Sequence, residues 1–486
     1  MASAVESLIR KSVTKGIMKV AAFNRDRKPV PKAPHPFLSG IHTPMTAEMT
    51  VIDLKVQGAI PPELDGRYIR IGPNPVKPAN PAVYHWFTGD GMVHGVRLQG
   101  GRALWYRNQW IRSKAVSTAL GEPEAPGTRH GDNDNVNTNV LGFAGKTWAF
   151  VEAGGYPVEL GGELHTVQHN PFEGTLKGSF SAHPHRDPAT GYMHAICYEG
   201  PNQSTIRHVV VGNDGKVRRE EPIAVKHGPS IHDCMITNKY VLVFDLPVTF
   251  SMKTLLAGHP FPYTWNPDHP ARVGLLAKDG KGSDIIWCDV DPCYVFHACN
   301  AYETADGKVI VDVAAHDNMF ASATQGTQGP DSRKVALERW TIDPSADPSS
   351  KRVQRKVIDT QPQEFPRCDE RRLGQPYRYA YAMPISYAGE EALSQTHLIK
   401  HDLQTGSRQI HEFGVNRFPG EFVFVPKFAD AAEDEGWLMG YVINTATQTT
   451  DLVILNAQDF SGSPQAVITI PHRIPPGFHG NWVATI

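Results

Sequence analysis

The chain lacks the local cysteine patterns that mark metal knuckles and redox motifs. Six cysteines occur in 486 residues, and none forms a Cys-x-x-Cys pair, which excludes a zinc knuckle and a thioredoxin-like motif. The N-terminus also lacks an uninterrupted apolar segment with a small-residue cleavage site, so we expect no secretion signal. Reduced, buried thiols are therefore predicted at Cys197, Cys234, Cys288, Cys293, Cys299 and Cys368.

A strong net charge and long apolar runs are absent as well. The formal net charge is −2, so no global basic field indicates a nucleic-acid partner. No apolar run reaches about 18 residues, so no segment is predicted to span a membrane. No Gly-x-Gly-x-x-Gly sequence follows a predicted strand, which argues against a nicotinamide or flavin cofactor. We therefore expect a cytoplasmic protein without an organic redox cofactor.

Turn-forming residues and short apolar runs are what the chain has in abundance. From about residue 50 onward, runs rich in Val, Ile, Tyr, Phe and Trp alternate with Gly, Asn and Asp. This alternation predicts a long series of β-hairpins. The clearest hairpins are LQGGRALWYRNQWI, NVLGFAGKTWAFVE, HVVVGNDGKVRREEPIAV, LLAKDGKGSDIIWCDV, ETADGKVIVDVAAH, IKHDLQTGSRQIHEF and LMGYVINTATQTTDLVILNAQ.

So many strands predict an all-β fold that avoids open sheet edges. One open sheet rarely holds this number of strands, whereas radial repetition of small sheets does, so we predict a β-propeller. No WD or kelch signature fixes the number of blades. Residues 110–140 and 246–268 are the longest predicted loops. The second is strongly apolar, and it is interpreted either as a lid on the core or as a patch that meets lipid or an apolar ligand.

Residues 1–40 differ in pattern from the rest of the chain. Residues 4–23 have helical periodicity, with apolar side chains on one face and lysines clustered on another. Residues 24–40 are charged and rich in proline, so they predict an extended connector. The helix is interpreted either as packed on the surface of the domain or as lying on a lipid surface. Peripheral membrane contact through residues 4–23 and 246–268 follows from the second interpretation.

Four of the 22 histidines stand out by their surroundings. His183, His232 and His297 lie beside predicted strands, where the central axis of a propeller would gather them. His479 lies in a tail of glycines and large aromatics, residues 475–482, which we expect to fold back into the protein. Two interpretations stay open: a four-histidine metal site, or hydrogen-bonded core positions for His232 and His297.

Beyond these histidines, the sequence resembles the carotenoid cleavage oxygenase family over roughly residues 40–486. The matching stretches are Asp65-Gly66-Arg67-Tyr68, Gly72-Pro73-Asn74-Pro75, His85-Trp86-Phe87-Thr88-Gly89-Asp90-Gly91-Met92-Val93-His94, Asn137-Thr138-Asn139-Val140, Ala182-His183-Pro184, His232-Asp233, Phe296-His297, Asn300-Ala301-Tyr302-Glu303, Glu364-Phe365-Pro366-Arg367, Gly420-Glu421-Phe422-Val423-Phe424-Val425-Pro426 and Gly477-Phe478-His479-Gly480-Asn481-Trp482. The resemblance implies a seven-bladed β-propeller over residues 41–486, a single catalytic domain with a helical and loop dome over its active-site face. It further implies one non-haem Fe²⁺ per chain that splits a C=C bond with O₂.

The family's functional residues carry over to matching positions. The resemblance implies that His183, His232, His297 and His479 bind the iron. It implies that Glu152, Glu364 and Glu421 accept the outer N–H of three of these imidazoles, and that Thr138 limits access to an open coordination position. A carboxylate in that place fixes the tautomer and orientation of an imidazole and raises its basicity. Because all seven of these His and Glu residues are present, an enzyme is favoured over a ligand-binding propeller without chemistry.

The substrate class rests on what is missing near Glu152. Family members that cleave stilbenes carry a lysine before this glutamate and a tyrosine upstream, and both hold a phenol. Here the first position is Val151, and residues 120–127 contain no tyrosine. An apolar polyene, a carotenoid or apocarotenoid, is therefore preferred, with stilbene cleavage as the alternative and retinoid isomerisation less favoured. Four aromatic residues are interpreted as cavity walls or as ordinary core packing: Trp86, Phe87, Phe296 and Phe478.

Overall fold

β-Strands make up most of the described part of the chain. The structure is a computed structural model that describes residues 16–77, 80–131, 133–200, 202–321, 334–347, 350–386 and 395–485. The first strands are β1 (Met49–Val51), β2 (Lys55–Gly58), β3 (Gly66–Pro73), β4 (Gly91–Gln99), β5 (Arg102–Trp110), β6 (Asn139–Phe143), β7 (Lys146–Phe150), β8 (Val158–Leu160), β9 (Thr166–His169), β10 (His185–Arg186), β11 (Met193–Cys197), β12 (Thr205–Val211), β13 (Val217–Ala224), β14 (Cys234–Ile236), β15 (Tyr240–Asp245), β16 (Val248–Phe250) and β17 (Tyr263–Trp265).

The second half of the chain continues in the same way. Its strands are β18 (Arg272–Ala277), β19 (Ile286–Asp289), β20 (Tyr294–Glu303), β21 (Val309–His316), β22 (Val335–Ile342), β23 (Gln354–Asp359), β24 (Gln363–Arg367), β25 (Tyr379–Pro384), β26 (His397–Asp402), β27 (Ser407–Glu412), β28 (Arg417–Pro419), β29 (Val423–Pro426), β30 (Gly436–Asn444), β31 (Thr449–Asn456), β32 (Ala466–Ile470) and β33 (Gly480–Ala484). Helices are few and short in the described residues: α1 (16–26), α2 (Lys114–Leu120), α3 (Met252–Leu256) and five 3₁₀ turns, Pro36–Leu38, Gly40–His42, Trp86–Thr88, Gly282–Asp284 and Glu370–Arg372.

All seven hairpins predicted from the sequence are present. Antiparallel pairing joins β4 to β5, β6 to β7, β12 to β13, β18 to β19, β20 to β21, β26 to β27 and β30 to β31. The turns use the expected chemistry, because Gly215 and Gly307, which end Asn-Asp-Gly and Ala-Asp-Gly, have φ of +73° and +82°. These left-handed angles suit glycine, which has no Cβ to clash with the backbone.

Seven antiparallel sheets follow one another along the described residues, which confirms the predicted seven-bladed β-propeller. In chain order the blades are β1-β5-β4-β3-β33, β6-β7-β8-β9, β10-β11-β12-β13, β14-β15-β18-β19, β20-β21-β22-β23, β24-β25-β26-β27 and the last blade β28/β29-β30-β31-β32-β2. A separate two-stranded hairpin, β16-β17, is inserted within the fourth blade.

The two ends of the chain close the ring by exchanging strands. Strand β33, near the C-terminus, pairs with β3 in the first blade, whereas β2, near the N-terminus, pairs with β32 in the last blade. The C-terminal tail therefore folds back into the protein, as predicted. Hydrogen bonds from Phe478 N to the Ile71 carbonyl (2.9 Å) and from Ile71 N to the His479 carbonyl (3.1 Å) continue this pairing ahead of β33.

Loops, short helices and the β16-β17 hairpin form the predicted dome over one face. Residues 246–268 are partly regular, because they contain β16, α3 and β17. The predicted helix over residues 4–23 falls partly outside the described residues, and its described part continues to residue 26. The predicted connector over residues 24–40 is therefore not wholly extended; its start is helical and 3₁₀ turns lie near its end. None of the described helices has the length and apolarity needed to cross a lipid bilayer.

The apolar core lies within and between the blades. Its largest fully buried side chains include Trp148, Trp340, Tyr68 and Tyr106, which come from four different strands. The six cysteines belong to the same interior, all of them buried and unpaired, which confirms the predicted thiols. Burial raises the pKa of the Cys197 and Cys293 thiols to about 12, so these cysteines stay protonated near neutral pH.

Candidate metal centre

Four histidines from four blades meet where the inner strands approach one another. His183, His232 and His479 come just before β10, β14 and β33, and His297 lies within β20. The pairing of β20 with β21 shifts register around His297, between Val295 and Ala298, so the strand departs from a regular ladder at this residue. The structure thus brings together all four histidines that the sequence singled out.

The imidazole nitrogens of this cluster are close enough to share one ion. The candidate ligand atoms of His183, His232, His297 and His479 all lie within 4.8 Å of one another, and each histidine is buried. The ring of His183 lies 4.5 Å from the rings of both His232 and His479, measured between centroids. Such a buried, all-nitrogen donor set suits a first-row transition metal.

Three carboxylates hold three of the imidazoles by their outer nitrogens. Nδ1 of His232 lies 2.9 Å from Glu152 Oε1, and Nδ1 of His297 lies 2.7 Å from Glu364 Oε2. The third distance, from His479 Nδ1 to an oxygen of Glu421, is 3.0 Å. The three sequence-predicted glutamates therefore each contact a histidine of the cluster.

These contacts set the tautomers and indicate a cation among the rings. Because a carboxylate only accepts hydrogen bonds, Nδ1 of His232, His297 and His479 carries the proton. Nε2 of each ring then presents a lone pair, yet the Nε2 atoms of His297 and His479 lie only 3.2 Å apart. Nε2 of His183 is also buried, with no hydrogen-bond partner among the described residues. A metal ion is the group that satisfies these nitrogens together, so the residues present fit one.

The pKa shifts within the cluster differ from group to group. Burial lowers the pKa of His479, whereas the pKa of His232 is raised, because the Glu152 carboxylate outweighs the burial of that ring. Burial, together with the neighbouring histidines, lowers the pKa of His183 well below its usual value. For Glu421, burial acts to raise the pKa, but the ion pair with Arg367 and the contact with His479 lower it to about 2. Neutral imidazoles are the form that binds metals, and charged carboxylates are the form that orients them.

The surroundings of the three carboxylates differ. Glu421 also contacts the Arg367 guanidinium at 3.1 Å and accepts from the Gly480 N–H at 2.9 Å. Glu364 contacts a second histidine, His316, through its other oxygen. Glu152 has no such second contact within the described residues, because its Oε2 is buried without a partner. The orientation of each imidazole is therefore supported in a different way.

A cavity of about 560 Å³ opens onto this cluster from the dome side. His232, His297 and His479 form part of its wall, and so does Thr138, whose carbonyl accepts the backbone N–H of His479 at 3.2 Å. Val151 also lines the cavity. It stands at the position before Glu152, where the stilbene-cleaving members described above carry a lysine. Most of the remaining wall is apolar, and it includes Trp86, Phe87, Phe250, Phe261, Phe296, Met319, Phe320, Ile385 and Phe478.

The four aromatic residues interpreted as walls or core all line the cavity. Phe87 packs edge-on against Phe296 and Phe478, with ring centroids 6.1 and 5.6 Å apart. Trp86 in turn lies 4.6 Å from Phe478, the residue next to His479. These contacts connect the dome to the tail, so the cavity wall and the cluster are built on the same side chains.

Residues from the two predicted membrane segments also reach this cavity. Ile17 and Met18 of α1 line it, as do Met252 and Leu255 of α3. The side-chain amide of Asn24 donates to the Leu256 carbonyl at 2.7 Å, which joins α1 to α3. Residues 246–268 therefore form part of the cavity wall, in agreement with their interpretation as a lid.

A second cavity of about 270 Å³ also reaches the cluster. It shares His297, His479 and Phe365 with the larger cavity, and His183 lines it as well. Its wall is more polar, because it includes the Arg367 guanidinium. The cluster thus lies between an apolar cavity and a polar one.

Sequence reasoning missed two residues that support the site, His316 and Arg367. Arg367 belongs to a stretch that was matched to the family, but no role was derived for it. His316 follows the apolar strand VIVDVAA, much as His297 follows YVF, so an apolar strand that runs into a histidine was the available signal. The glutamate that His316 contacts is 48 residues away, which no local spacing reveals.

Comparisons with known proteins cover almost the whole chain. The family described as retinal pigment epithelial membrane protein matches residues 42–484. The carotenoid cleavage oxygenase of Mycobacterium tuberculosis is 41% identical over 498 aligned positions, which cover 93% of this chain and 98% of that protein.

Solved structures of similar proteins have the same fold. The crystal structure of the lignostilbene dioxygenase of Pseudomonas brassicacearum has a TM-score of 0.83 at 26% identity, covering 94% of this chain and 100% of that one. Cobalt-substituted apocarotenoid oxygenase of Synechocystis has a TM-score of 0.79 at 27% identity, covering 91% of this chain and 97% of that one. By sequence and by structure, the chain belongs to the carotenoid cleavage oxygenase family.

Proposed function

We propose that this protein is a non-haem iron dioxygenase that cleaves one C=C bond of a carotenoid or apocarotenoid with O₂. Both oxygen atoms enter the products, so that one alkene and one O₂ give two carbonyl compounds. One Fe²⁺ per chain is held by His183, His232, His297 and His479. Residues 41–486 form the catalytic unit, and residues 1–40 precede it.

The observation that supports this proposal most strongly is that the histidine cluster and an apolar cavity adjoin each other. A buried four-histidine cluster, with three imidazoles oriented by carboxylates, lies at the wall of a largely apolar cavity. Iron(II) bound there supplies the electron density that makes O₂ reactive toward an electron-rich alkene. The names of the relatives from Mycobacterium and Synechocystis agree with a carotenoid or apocarotenoid substrate.

The protein residues orient the ligands and balance the charge. Glu152, Glu364 and Glu421 fix the imidazoles by their Nδ1–H groups, which keeps each Nε2 lone pair directed inward. Four neutral imidazoles carry no charge, so the ion and the Arg367 guanidinium together offset the three carboxylates. Thr138 is proposed to restrict access to an open coordination position, since it lines the cavity beside His479.

The cavity holds the substrate by shape and apolar contact. A polyene chain has no hydrogen-bonding groups, and its burial stabilises the complex by about 25 cal/mol for each Å² removed from water. The aromatic side chains Phe87, Phe296 and Phe478 surround this space next to the cluster. We expect them to place one double bond of the polyene beside the iron.

A second candidate is the cleavage of a phenolic stilbene, and one observation favours it. The hydroxyl of Tyr263, a residue that lines the cavity, is buried with no partner in the described part of the chain. A substrate phenol is one group that satisfies it. The lignostilbene dioxygenase fold agrees with this candidate, whereas Val151 and the lack of a lining lysine among the described residues oppose it.

A substrate panel tests the proposal. Protein reconstituted with Fe²⁺ without oxygen is mixed with β-carotene, an apocarotenal or a hydroxystilbene, exposed to O₂, and the products are identified by mass spectrometry. We expect two carbonyl products from a carotenoid or the apocarotenal, and little turnover of the stilbene. Robust cleavage of the stilbene with none of the polyenes would reverse the assignment. The His232→Ala variant serves as the metal-site control and is expected to be inactive on all three.

Exposed apolar residues on α1 and α3 support peripheral membrane contact. Val20 and Phe23 of α1 are about half exposed, at 48% and 53%, and Met252 of α3 is exposed at 39%. A substrate that partitions into lipid would enter the cavity directly from such a surface.

Vesicle flotation tests this contact. Phe23→Glu is expected to reduce binding to phospholipid vesicles, whereas Val415→Glu, at an exposed apolar position that does not line the cavity, is expected to leave binding unchanged. Equal binding of both variants, or no binding of the unmodified protein, would contradict the contact.

A further inference from the structure

Glu364 is held between two imidazoles, one on each carboxylate oxygen. Its Oε2 accepts from His297 Nδ1 at 2.7 Å and from the Phe365 backbone N–H at 2.9 Å. Its Oε1 pairs with Nε2 of His316. All three side chains are buried. The carboxylate that orients one histidine of the cluster is thus fixed by another histidine that lies outside it.

The backbone around Glu364 is irregular, whereas that of His316 is not. The pairing of β24 with β25 shifts register between Glu364 and Arg367, and Phe365 has a left-handed φ of +53°. His316 instead ends β21, where it pairs regularly with Tyr294 on one side and with Val335 on the other. A register shift re-aims side chains, so a contact from a regularly paired residue such as His316 would fix the direction of Glu364.

We infer that His316 is a positioning residue for the proposed metal centre, holding Glu364 so that its other oxygen stays on His297 Nδ1. As the donor to a carboxylate, His316 carries its proton on Nε2. Its Nδ1 is buried with no partner among the described residues, so within them the contact with Glu364 is the polar contact that orients this ring. The inference rests on the proposed four-histidine centre.

The other two carboxylates indicate why such an anchor matters here. Glu421 is fixed by a guanidinium and a backbone N–H, so it needs no further partner. Glu152, in contrast, has a buried oxygen without a partner in the described residues. Among the three glutamates that contact the cluster, Glu364 is the one whose second side-chain contact is an imidazole, that of His316. Loss of that imidazole would leave the Oε1 charge buried and uncompensated, and the carboxylate would be free to turn away from His297.

His316 also connects the metal centre to the cavity wall. It lines the cavity, and its ring lies edge-on to Phe296, with centroids 5.4 Å apart and planes at 88°. Phe296 immediately precedes His297. The placement of this histidine is therefore set by the same aromatic packing that shapes the cavity next to the cluster.

Co²⁺ binding to the full-length protein tests this role without relying on activity. The affinity is measured by competition with a chelator, and the visible ligand-field spectrum of bound Co²⁺ reports the ligand geometry. His316→Phe keeps the ring volume but removes the donor, so it is expected to weaken Co²⁺ binding about 10-fold or more and to shift the spectrum. His316→Gln keeps an N–H donor of similar reach and is expected to restore most of both. Should His316→Phe fail to fold, His316→Asn, which is smaller and too short to reach Glu364, takes its place with the same expected loss.

His208 provides the matched control. It too is a fully buried strand histidine with one nitrogen paired, to His194 at 3.0 Å, and Nδ1 without a partner among the described residues. His208→Phe is expected to leave the Co²⁺ affinity and spectrum unchanged. If the unmodified protein binds one Co²⁺ and the His316 variants bind it equally well with the same spectrum, the positioning role is wrong while the metal centre stands. If the unmodified protein binds none, the metal centre itself is wrong and the inference falls with it.

Discussion

The guanidinium of Arg367 is the one cationic side chain that contacts a carboxylate of the cluster in the described residues. It meets Glu421 at 3.1 Å, Glu370 at 2.6 Å and the Asn481 side-chain oxygen at 2.8 Å. Glu421 is almost fully buried, so its charge has little access to water. Such a charge is tolerated because Arg367 and the backbone of Gly480 surround it, and it is this pair that keeps His479 oriented.

Removing Arg367 is therefore expected to be costly. Arg367→Met leaves the Glu421 charge buried without its partner, which we expect to lower the free energy of unfolding by about 3–5 kcal/mol. Urea denaturation monitored by fluorescence measures this change. Arg352→Met provides the control, because Arg352 and its partner Asp291 are both more than half exposed, and there we expect a change below about 1 kcal/mol. Equal destabilisation by the two substitutions would contradict the argument.

His42 gives the protein a pH-dependent stability that can be assigned to one side chain. Burial, with a smaller contribution from nearby Arg473, lowers the pKa of His42 from 6.5 to about 3. Between these values the unfolded chain binds a proton that the folded chain does not. The stability that neutral His42 contributes is thus fully present above pH 6.5 and is lost as the pH falls toward 3.

The slope of this loss is measurable. His42→Leu is expected to reduce the pH dependence of the unfolding free energy by about 1.4 kcal/mol per pH unit in the acidic range. Urea denaturation at a series of pH values from neutral downward gives the two slopes. Above pH 7 the two proteins are expected to run parallel, and an unchanged acidic slope in the variant would show that His42 is protonated in the folded state.

At the scale of strands, the features that could be predicted from the sequence are those that depend on a few neighbouring residues. All the hairpins marked by an Asp-Gly or Gly-rich turn formed, since alternation of apolar residues and turn chemistry act over a few positions. The histidines beside inner strands could be selected for the same reason. Identifying them as ligands required the family resemblance, because each comes from a different blade.

The contacts around the carboxylates were beyond local pattern. Glu364 contacts His297 and His316 at a point where the pairing of β24 with β25 shifts register, and no local sequence signal marks that irregularity. The exposure of Val20 and Phe23 was also beyond local pattern, since helical periodicity does not show whether an apolar face is packed or exposed. In this part of α1 it is Ala21 that is buried, and Asn24 of the same helix donates to the Leu256 carbonyl of α3.

The close approach of β3 to the tail is a further element-scale feature. A Cβ on Gly72 would lie 2.5 Å from the Cα of Gly477, two residues before His479. Gly72→Ala is expected to force the tail away, lowering stability by about 1–3 kcal/mol and reducing the metal bound per chain. Metal analysis after gel filtration and urea denaturation measure the two effects.

Gly162→Ala is the matched control, since a Cβ there meets no atom within 4 Å. We expect it to change stability by less than about 0.5 kcal/mol and to keep its metal. A Gly72→Ala protein that equals this control would show that the tail can shift without disturbing His479.

For the whole molecule, the exchange of strands between the two chain ends is expected to couple folding to the proposed metal binding. β33 completes the first blade and is preceded directly by His479. The segment that closes the ring therefore also supplies the fourth histidine of the cluster. Strand β2 instead pairs with β32 at the edge of the last blade and contributes no histidine to the cluster. The four-histidine cluster is therefore complete only when the ring is closed at the β3-β33 pairing.

Shortening the chain at its end tests this coupling. Deletion of residues 477–486 removes His479 and β33, and we expect the metal and the activity to be lost together. Deletion of residues 485–486 alone leaves β33 intact and is expected to keep both. A protein that lacks residues 477–486 but still holds one iron per chain would contradict the role of His479.

The most direct measurement of the central claim is the X-ray absorption spectrum of the iron in the full-length protein, recorded without oxygen. Four imidazoles, as assigned to His183, His232, His297 and His479, predict nitrogen neighbours with the outer-shell scattering that is typical of histidine rings. The same spectrum should show no sulfur neighbour, since the six cysteines are buried thiols outside the cluster. A spectrum with two or fewer imidazoles, or with a sulfur or carboxylate ligand in their place, would contradict the account.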